Sequence, residues 1–367
     1  MHILSIVGAR PNFVKIAPIA RAARKLEGVK HTLVHTGQHY DHDMSDSFFR
    51  VLDIPAPDVN LNVGSGSHGQ QTGKVMMALE PVLEELHPDW VVTVGDVNST
   101  AAAALDAVKL GIKTAHVEAG LRSYDRGMPE EINRLVTDAI SDALFVTEQS
   151  GLDNLKKEGV REEIIHFTGN VMIDSLVRAL PQAQEEKAWN RFSVGKGEYV
   201  LVTLHRPSNV DDGETLAGLV RALHEIGQSH PVLFPVHPRT RKQLQSFALL
   251  EDLTRGGGVS LSDPLDYLTF LSLVTGSKAL LTDSGGIQEE TTYLGIPCMT
   301  LRPNTERPST IELGTNELVA PDYGAVVEAF SRIEAGNWKQ GQVPPLWDGK
   351  AAERIVSILR EIHGQGS

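Results

Sequence analysis

The sequence predicts an α/β protein with two domains, each containing a doubly wound parallel sheet. Three observations carry this prediction. The chain has 367 residues, which at roughly 150 residues per domain corresponds to two domains. Short apolar runs alternate with segments of helical periodicity. The runs are continuous rather than alternating, as is typical of parallel strands that helices cover on both faces.

The predicted strands form two series on either side of a polar stretch at 181–198. They lie at 3–7, 31–35, 89–94, 112–117, 143–147 and 164–168, and then at 199–204, 231–236, 278–283 and 296–301. Helical segments at 73–86 and 99–110 separate strands of the first series, in the βαβ order of doubly wound sheets. We therefore expect domains at 1–180 and 181–348, with a C-terminal helix in 349–367 that is free to pack back on the first domain.

Composition narrows the class of protein. The formal net charge of -13 makes general binding to nucleic acid or to anionic membranes a poor expectation. Cys298 is the single cysteine, which excludes an intramolecular disulfide and fits a reducing compartment. Neither a leader pattern nor a membrane-length apolar run is present. We expect a soluble cytoplasmic protein.

The first predicted βα turn is GARPNFVK at 8–15. Gly8 permits a tight turn, and Arg10 and Lys15 bring two cations near a helix start, which suits an anion. An ordinary βα turn with surface charges is the alternative. Ligands of open parallel sheets bind beyond the carboxyl ends of the strands, so this turn is a candidate site.

Three carboxylates follow strands of the first series or open the next helix. They are Asp96 in GDVNST, Glu118 in HVEAGLRS and Glu130 in MPEEINR. Asp96 also suits a helix N-cap, and Glu130 also complements a helix dipole. Together at one sheet edge they could supply a proton acceptor and a proton donor, so we predict that at least two are catalytic.

The second series carries the stronger anion-binding signal. In LLTDSGGIQEE at 280–290, Ser284, Gly285 and Gly286 open a helix after a buried strand, so backbone N–H groups can face a phosphate. Glu290 lies about one turn later and could accept hydrogen bonds from ribose hydroxyls. A glycine-rich turn with a charged helix face is the alternative.

Further cations follow other strands of this series. His205 and Arg206 come at the end of its first strand and could contact a diphosphate, and His237 follows the next strand in PVHPR. Arg307 in NTERPST adds another cation.

Several familiar sites are not indicated. No GxGxxG follows the first strand, no GxxxxGK[ST] is present and no GxSxG is present. The histidines and aspartates of QHYDHDM at 38–44, namely His39, Asp41, His42 and Asp43, could bind a metal, but loop clusters of this kind are usually solvated. We expect neither a metal nor a cofactor.

Read together, the motifs resemble the non-hydrolysing UDP-N-acetylglucosamine 2-epimerases. The matching segments span nearly the whole chain: GARPNFVKIAP, GDVNST, HVEAGLRS, MPEEINR, TGN, LHRPSN, PVHPR, LTDSGGIQEE and TERPST. The resemblance implies the GT-B fold type, in which two Rossmann-like domains face each other across a cleft. It also implies a UDP-sugar substrate and a homodimer.

The resemblance assigns roles to the candidate residues. The catalytic set is Asp96, Glu118, Glu130 and His205. The substrate-binding set is Arg10, Lys15, Arg134, Arg206, His237, Ser284, Gly285, Gly286, Glu290 and Arg307. The second domain is expected to hold UDP and the first to act on the sugar.

The expected reaction is reversible inversion of carbon 2 of UDP-N-acetylglucosamine through elimination of UDP and its re-addition. HRPSN, DVNST and QHYDHD depart from the pattern of many bacterial members. A related UDP-diacetamido sugar is therefore an alternative substrate. A hydrolysing epimerase and a GT-B glycosyltransferase or binding protein are alternative functions.

Overall fold

The computed structural model describes residues 1–8, 10–37 and 56–365, with only the backbone described at 10 and 11. It divides into two compact units. Unit 1 comprises residues 1–178 and 345–367, and unit 2 comprises residues 179–344. The chain thus passes from unit 1 to unit 2 between Arg178 and Ala179, inside a helix, and returns to unit 1 at Pro345.

Unit 1 contains a seven-stranded, wholly parallel sheet in the order β3-β2-β1-β4-β5-β6-β7. Its strands are β1 His2–Val7, β2 Lys30–His35, β3 Val59–Asn60, β4 Trp90–Val94, β5 Lys113–Ala119, β6 Ala143–Val146 and β7 Ile165–Phe167. The central strands are buried along their length, because helices cover both faces of the sheet.

The helices of unit 1 follow the strands in βα order. They are α1 Arg10–Lys25, α2 His68–Leu86, α3 Asn98–Lys109, α4 Pro129–Ile140, α5 Gln149–Lys157 and α6 Val171–Glu186, and α15 Ala351–Gln365 at the C-terminus. α2 begins five residues before the apolar segment predicted at 73–86. A capping box between Ser67 and Gln70 starts it there.

Helix α15 is anchored to unit 1 by a carboxylate. Asp174 on α6 accepts hydrogen bonds from the N–H groups of Ala351 and Ala352, at 3.1 and 2.8 Å. Burial raises the pKa of Asp174 to about 6. The carboxylate thus caps α15 from another element of the same unit.

Unit 2 repeats the same strand order with six parallel strands, β10-β9-β8-β11-β12-β13. They are β8 Val200–Thr203, β9 Val232–Pro235, β10 Val259–Ser262, β11 Ala279–Thr282, β12 Cys298–Thr300 and β13 Asn316–Leu318. Its helices are α7 Pro207–Val210, α8 Gly213–Ser229, α9 Pro238–Ser246, α10 Leu250–Thr254, α11 Tyr267–Gly276, α12 Gly285–Leu294, α13 Pro308–Glu312 and α14 Tyr323–Glu334.

All ten predicted strands are present, and sequence reasoning missed three: β3, β10 and β13. These are two to four residues long and contain polar residues, so they form no continuous apolar run. Two short 3₁₀ helices, Glu162–Ile164 and Ala188–Phe192, were also not predicted. Among the described residues, no helix combines the length and apolar character needed to cross a bilayer.

Candidate active site

Glu118 and Asp96 leave neighbouring strands at the same edge of the unit 1 sheet. β4 pairs with β5 so that Val94 lies opposite Val117, and Gly95 N–H donates to Val117 C=O at 3.1 Å. The residues that follow Val94 and Val117 therefore emerge side by side. Strand pairing, rather than sequence proximity, brings these two predicted residues to one edge.

The backbone of Glu118 is held in an unfavourable conformation. Its φ is +70°, and the register between β5 and β6 is irregular between Val117 and Ala119. A left-handed conformation at a residue with a β-carbon costs about 1–3 kcal/mol and persists only where the surroundings impose it. The irregularity turns the Glu118 side chain into the sheet edge.

One carboxylate oxygen of Glu118 has no hydrogen-bond partner in the part of the chain that the structure describes. The side chain is 3% exposed, and Oε2 forms an ion pair with Nζ of Lys15 on α1. Oε1 is buried without a hydrogen-bond partner among the described residues. A buried carboxylate oxygen in that condition needs a reason, and a bound ligand would supply one.

Gly95 makes the approach of Lys15 to Glu118 possible. A β-carbon at this position would lie 3.3 Å from Lys15 Nζ and 3.5 Å from Glu118 Oε2. Its φ of +70° also favours glycine. The backbone conformation therefore favours the glycine of GDVNST, and a side chain here would press against the Lys15–Glu118 pair.

Asp96 is oriented by an arginine. Nη2 of Arg134 on α4 lies 2.6 Å from Asp96 Oδ2, and Nε lies 3.1 Å from the same oxygen. Nη1 of Arg134 pairs with Glu131 at 2.7 Å. Arg134 thus positions one predicted catalytic carboxylate, and its contact with substrate stays a prediction.

The two adjacent glutamates of MPEEINR have different surroundings. Glu131 is buried and accepts hydrogen bonds from Ser123 N–H, Ser123 Oγ–H and Tyr124 N–H at 2.9–3.0 Å. Burial raises its pKa, but these hydrogen bonds and Arg134 outweigh that effect and lower it. Glu130 is half-buried and bonds to no described residue, which leaves its carboxylate available. Arg10 is the first residue of α1, and its side chain is not described.

Asp283 organises the corresponding edge of unit 2. It is fully buried after β11, and its carboxylate accepts hydrogen bonds from the N–H groups of His205 and Arg206 at 3.0 and 2.9 Å. Nδ1 of His205 lies 2.8 Å from the same carboxylate, and Arg206 Nε donates to Asp283 C=O at 2.9 Å. Burial raises the pKa of Asp283, but His205 and these N–H groups hold it below its usual value.

His205 and His237 border a small pocket of unit 2. Their ring centroids are 5.7 Å apart. The pocket has a volume of about 160 Å³. Its other lining residues are mostly apolar: Thr203, Leu204, Pro235, Pro264, Leu265 and Phe270. Partial burial and the neighbouring His205 lower the pKa of His237.

The N-terminus of α12 presents backbone donors, as predicted. Ser284 is the N-cap residue, its side chain forms no capping hydrogen bond, and residues 284–287 are half-buried. The first-turn N–H groups of a helix have no intrahelical acceptor. A β-carbon on Gly285 would lie 3.1 Å from Nη1 of Arg307, so the guanidinium lies directly beside this helix end. Helix N–H groups and a cation at one place suit an anion.

A buried cluster of alternating charges holds Arg307. Its Nε pairs with Glu289 and its Nη1 with Glu306, at 2.7 and 2.9 Å. Glu306 also pairs with Arg302 Nη2 at 2.7 Å. Burial raises the pKa of Glu306, but Arg307 and Arg302 hold it well below the usual range. Arg302 Nη1 is buried with no hydrogen-bond partner among the described residues.

Glu290 lies one turn into α12. Tyr267 O–H donates to its Oε1 at 3.3 Å, and the side chain is 5% exposed. Burial raises the pKa of Glu290 to about 7, although the Tyr267 hydrogen bond opposes this shift. At neutral pH the carboxyl can both donate and accept hydrogen bonds.

Sequence reasoning missed charged residues that organise these sites, among them Asp283, Glu289, Arg302 and Glu306. Asp283 was placed at a strand end but given no role. The sequence signal that could have found Asp283 is its position directly after an apolar strand, because a carboxylate that is buried there needs hydrogen-bond partners. The described residues contain no group of three or more side chains suited to a metal. His39, Asp41, His42 and Asp43 lie outside the described residues.

Comparison with known proteins identifies the family. A family model described as UDP-N-acetylglucosamine 2-epimerase matches residues 21–360. This chain belongs to the UDP-N-acetylglucosamine 2-epimerase family. The resemblance inferred from the motifs is thereby confirmed.

Individual epimerases resemble the chain over almost its full length. The UDP-N-acetylglucosamine 2-epimerase of Methanocaldococcus jannaschii is 43% identical over 98% of this chain and 99% of its own. The UDP-2,3-diacetamido-2,3-dideoxy-D-glucuronate 2-epimerase of Pseudomonas aeruginosa is 40% identical over 99% and 100%.

A solved structure extends the similarity to the fold. The crystal structure of the M. jannaschii epimerase in complex with UDP-GlcNAc and UDP matches with a TM-score of 0.87 and 43% identity. The match covers 98% of this chain and 100% of that one. The predicted fold class, GT-B type with two Rossmann-like units, is confirmed.

Proposed function

We propose that this epimerase reversibly inverts carbon 2 of UDP-N-acetylglucosamine to give UDP-N-acetylmannosamine without releasing free sugar. The observation that carries the proposal is Glu118, a buried carboxylate on a strained backbone beside Lys15, with one oxygen that no described residue hydrogen-bonds. A general base needs a free oxygen that is already positioned.

The chemistry of the substrate determines the route. The hydrogen on carbon 2 is not adjacent to a carbonyl, so enolisation cannot invert this centre. Elimination can: a carboxylate takes the carbon 2 proton, a double bond forms between carbons 1 and 2, and the carbon 1–oxygen bond breaks with its electron pair leaving on UDP. The product is 2-acetamidoglucal. UDP then adds back while a proton returns to the opposite face of carbon 2.

Unit 1 supplies the acid–base groups in this proposal. Glu118 and Asp96 lie at one sheet edge, and Arg134 fixes the direction of the Asp96 carboxylate. Glu130 adds a carboxylate that bonds to no described residue. A proton leaves one face of carbon 2 and a proton returns to the other face, so two acid–base groups are needed. Lys15 and Arg10 are proposed to contact the nucleotide.

Unit 2 holds the UDP group in this proposal. The α12 N-terminus at Ser284, Gly285 and Gly286 receives the diphosphate, with Arg307 beside it. These donors stabilise the negative charge that UDP gains on leaving. Glu290 receives the ribose hydroxyls. His205, Arg206 and His237 also contact the nucleotide, and the pocket beside the two histidines suits a flat base.

Heavy water provides the decisive test. The protein is incubated with UDP-N-acetylglucosamine in D₂O, and the sugar is followed by NMR. We expect deuterium at carbon 2 of both UDP-sugars and no accumulation of free N-acetylmannosamine. Stoichiometric free sugar would establish a hydrolysing epimerase. Transfer of the sugar to an acceptor without exchange at carbon 2 would establish a glycosyltransferase.

A UDP-diacetamido uronate is the second candidate substrate. The specific support is the P. aeruginosa relative, whose 40% identity is close to the 43% of the M. jannaschii relative. The ratio of kcat/KM for the two UDP-sugars measures the preference. We expect at least a tenfold preference for UDP-N-acetylglucosamine.

We also propose that the chain forms a homodimer and uses neither metal nor cofactor. Sedimentation equilibrium measures the mass. A mass of one chain at micromolar concentration, or activity that depends on added nicotinamide or metal, would contradict these proposals.

A further inference from the structure

A buried ion pair, His116 with Asp138, lies directly behind the unit 1 edge. His116 Nδ1 is 2.6 Å from Asp138 Oδ1, and both side chains are almost completely buried. His116 is on β5, two residues before Glu118, and Asp138 is on α4. Burying charged groups is costly, so such a pair needs a role that repays the cost.

Each member of the pair holds one of the turns that carry a catalytic carboxylate. His116 Nε2 lies 2.8 Å from the carbonyl oxygen of Gly95, the residue before Asp96. Asp138 Oδ2 accepts a hydrogen bond from Gly120 N–H at 3.0 Å, just after the irregularity at Glu118. The pair therefore ties the two turns together through side chains.

The hydrogen-bond pattern sets the direction of each bond. Both ring nitrogens of His116 face an acceptor, one a carboxylate and the other a carbonyl, so both donate in this arrangement. Arg122 Nη1 pairs with Asp138 Oδ2 at 2.7 Å, and Glu158 pairs with Arg122 at the outer end. The hydrogen-bonded chain of Glu158, Arg122, Asp138 and His116 thus ends on the Gly95 carbonyl.

We propose that His116 and Asp138, hereafter the brace, are positioning residues that set the geometry of Asp96 and Glu118 for turnover. The inference rests on the proposed function of those carboxylates. A displacement of about 1 Å at reacting groups can cost about 100-fold in rate, so a group behind the site can control turnover without touching substrate.

Substitutions can break the brace and rebuild it. In His116→Gln the introduced amide can donate to Gly95, but its oxygen then faces the Asp138 carboxylate, and two acceptors oppose each other. In the double variant His116→Gln/Asp138→Asn, the side-chain NH₂ introduced at position 138 can donate to the amide oxygen introduced at position 116. The amide oxygen at position 138 then still accepts from Arg122 and Gly120.

The test measures kcat and KM for UDP-N-acetylglucosamine, together with amide hydrogen exchange in segments 94–97 and 118–121. For His116→Gln we expect kcat about 100-fold lower, KM within about threefold, and exchange in both segments at least about tenfold faster. For Asp138→Asn we expect about a tenfold loss of kcat, and the double variant should lose no more than this, because the two sites are coupled.

The matched control is His166→Gln. His166 is a half-buried histidine on β7, and its substitution should keep kcat within about twofold.

The brace proposal is wrong if folded His116→Gln shows unchanged amide exchange and unchanged kcat. It is also wrong if the loss of kcat in the double variant is the product of the losses in the two single variants. If the variants do not fold, ¹⁵N-histidine NMR of the wild-type protein decides, because the brace requires N–H protons on both ring nitrogens of His116. Exchange and NMR do not depend on catalysis. A wild-type protein that fails to epimerise would refute the proposed function, while these two measurements still decide the brace.

Discussion

The same strand order carries two different arrangements of charged side chains in the two units. At the unit 1 edge, Glu118 has a strained backbone and a carboxylate oxygen that no described residue contacts through a hydrogen bond. At the unit 2 edge, Asp283 is satisfied by backbone N–H groups, and the α12 N-terminus adds donors beside Arg307. A strained backbone and a carboxylate oxygen available for a new hydrogen bond suit catalysis. Hydrogen-bonded carboxylates and the aligned N–H groups of a helix start suit the binding of an anion. The proposed division of tasks between the two edges therefore rests on the side chains that follow the strands, and the topology is the same in both units.

The largest expected effect comes from Glu118→Gln. We expect kcat to fall about 1000-fold, because the substitution removes the proposed base, while Kd for UDP changes less than about threefold. Turnover assays and calorimetry with UDP measure the two quantities. Asp96→Asn and Glu130→Gln are expected to follow the same pattern.

Glu162→Gln is the matched control for Glu118→Gln, since this carboxylate is 79% exposed in the same unit. It should leave both kcat and Kd unchanged. Normal turnover in any two of the three carboxylate variants would refute the assignment of unit 1 to chemistry.

Arg307→Met is expected to weaken UDP binding, whereas the carboxylate variants of unit 1 are expected to lower kcat. It removes a cation beside the α12 N-terminus and leaves Glu289 and Glu306 short of a partner. We expect Kd for UDP to rise at least about 30-fold, because the proposed charge pair between Arg307 and the diphosphate is lost. Calorimetry on protein shown to be folded makes the measurement.

Arg332→Met provides the comparison within unit 2, because Arg332 is partly exposed and pairs with Glu317. UDP affinity should be unaffected by it. If Arg307→Met also leaves UDP affinity intact, the phosphate site lies elsewhere.

Glu131→Gln and Glu130→Gln compare a glutamate that stabilises the fold with a neighbouring glutamate that is proposed to act in catalysis. Glu131 accepts three hydrogen bonds and pairs with Arg134, so its substitution should lower the free energy of unfolding by about 3 kcal/mol. Glu130→Gln should change it by less than about 0.5 kcal/mol. Urea unfolding of both variants measures this, and a reversed order would contradict the geometry described for α4.

The smallest expected effect is the pH dependence that Glu290 contributes in unit 2. Burial raises its pKa from 4.5 to about 7, so the folded protein binds more protons than the unfolded chain between these values. The free energy of unfolding then falls as pH rises from about 4.5 to 7 and changes no further above that. Glu290→Gln should remove most of this loss, because the amide does not titrate.

Thermal or urea unfolding without UDP at pH 5 and pH 8 tests the Glu290 prediction. The variant should gain stability relative to wild type at pH 8 but much less at pH 5. An equal gain in stability at pH 5 and pH 8 would show that Glu290 does not account for the extra proton bound by the folded protein.

The sequence alone determined the fold class, the family and the strand ends to inspect. Continuous apolar runs identify buried parallel strands because such strands are covered on both faces. It also located the helix start at which we propose that the diphosphate binds, because Ser284-Gly285-Gly286 after a buried strand is a local signal. Short polar strands such as β13 escaped detection because their pairing is decided by neighbours in the sheet.

Only the tertiary structure decided which charges face one another. Nothing local indicates that Arg134 holds Asp96 or that Arg307 pairs with Glu289, because these partners lie 38 and 18 residues apart in the chain. The left-handed backbone of Glu118 likewise depends on how β5 pairs with β6. Local sequence sets the period and caps of an element, whereas burial, ion pairing and strain depend on the residues that the fold brings alongside.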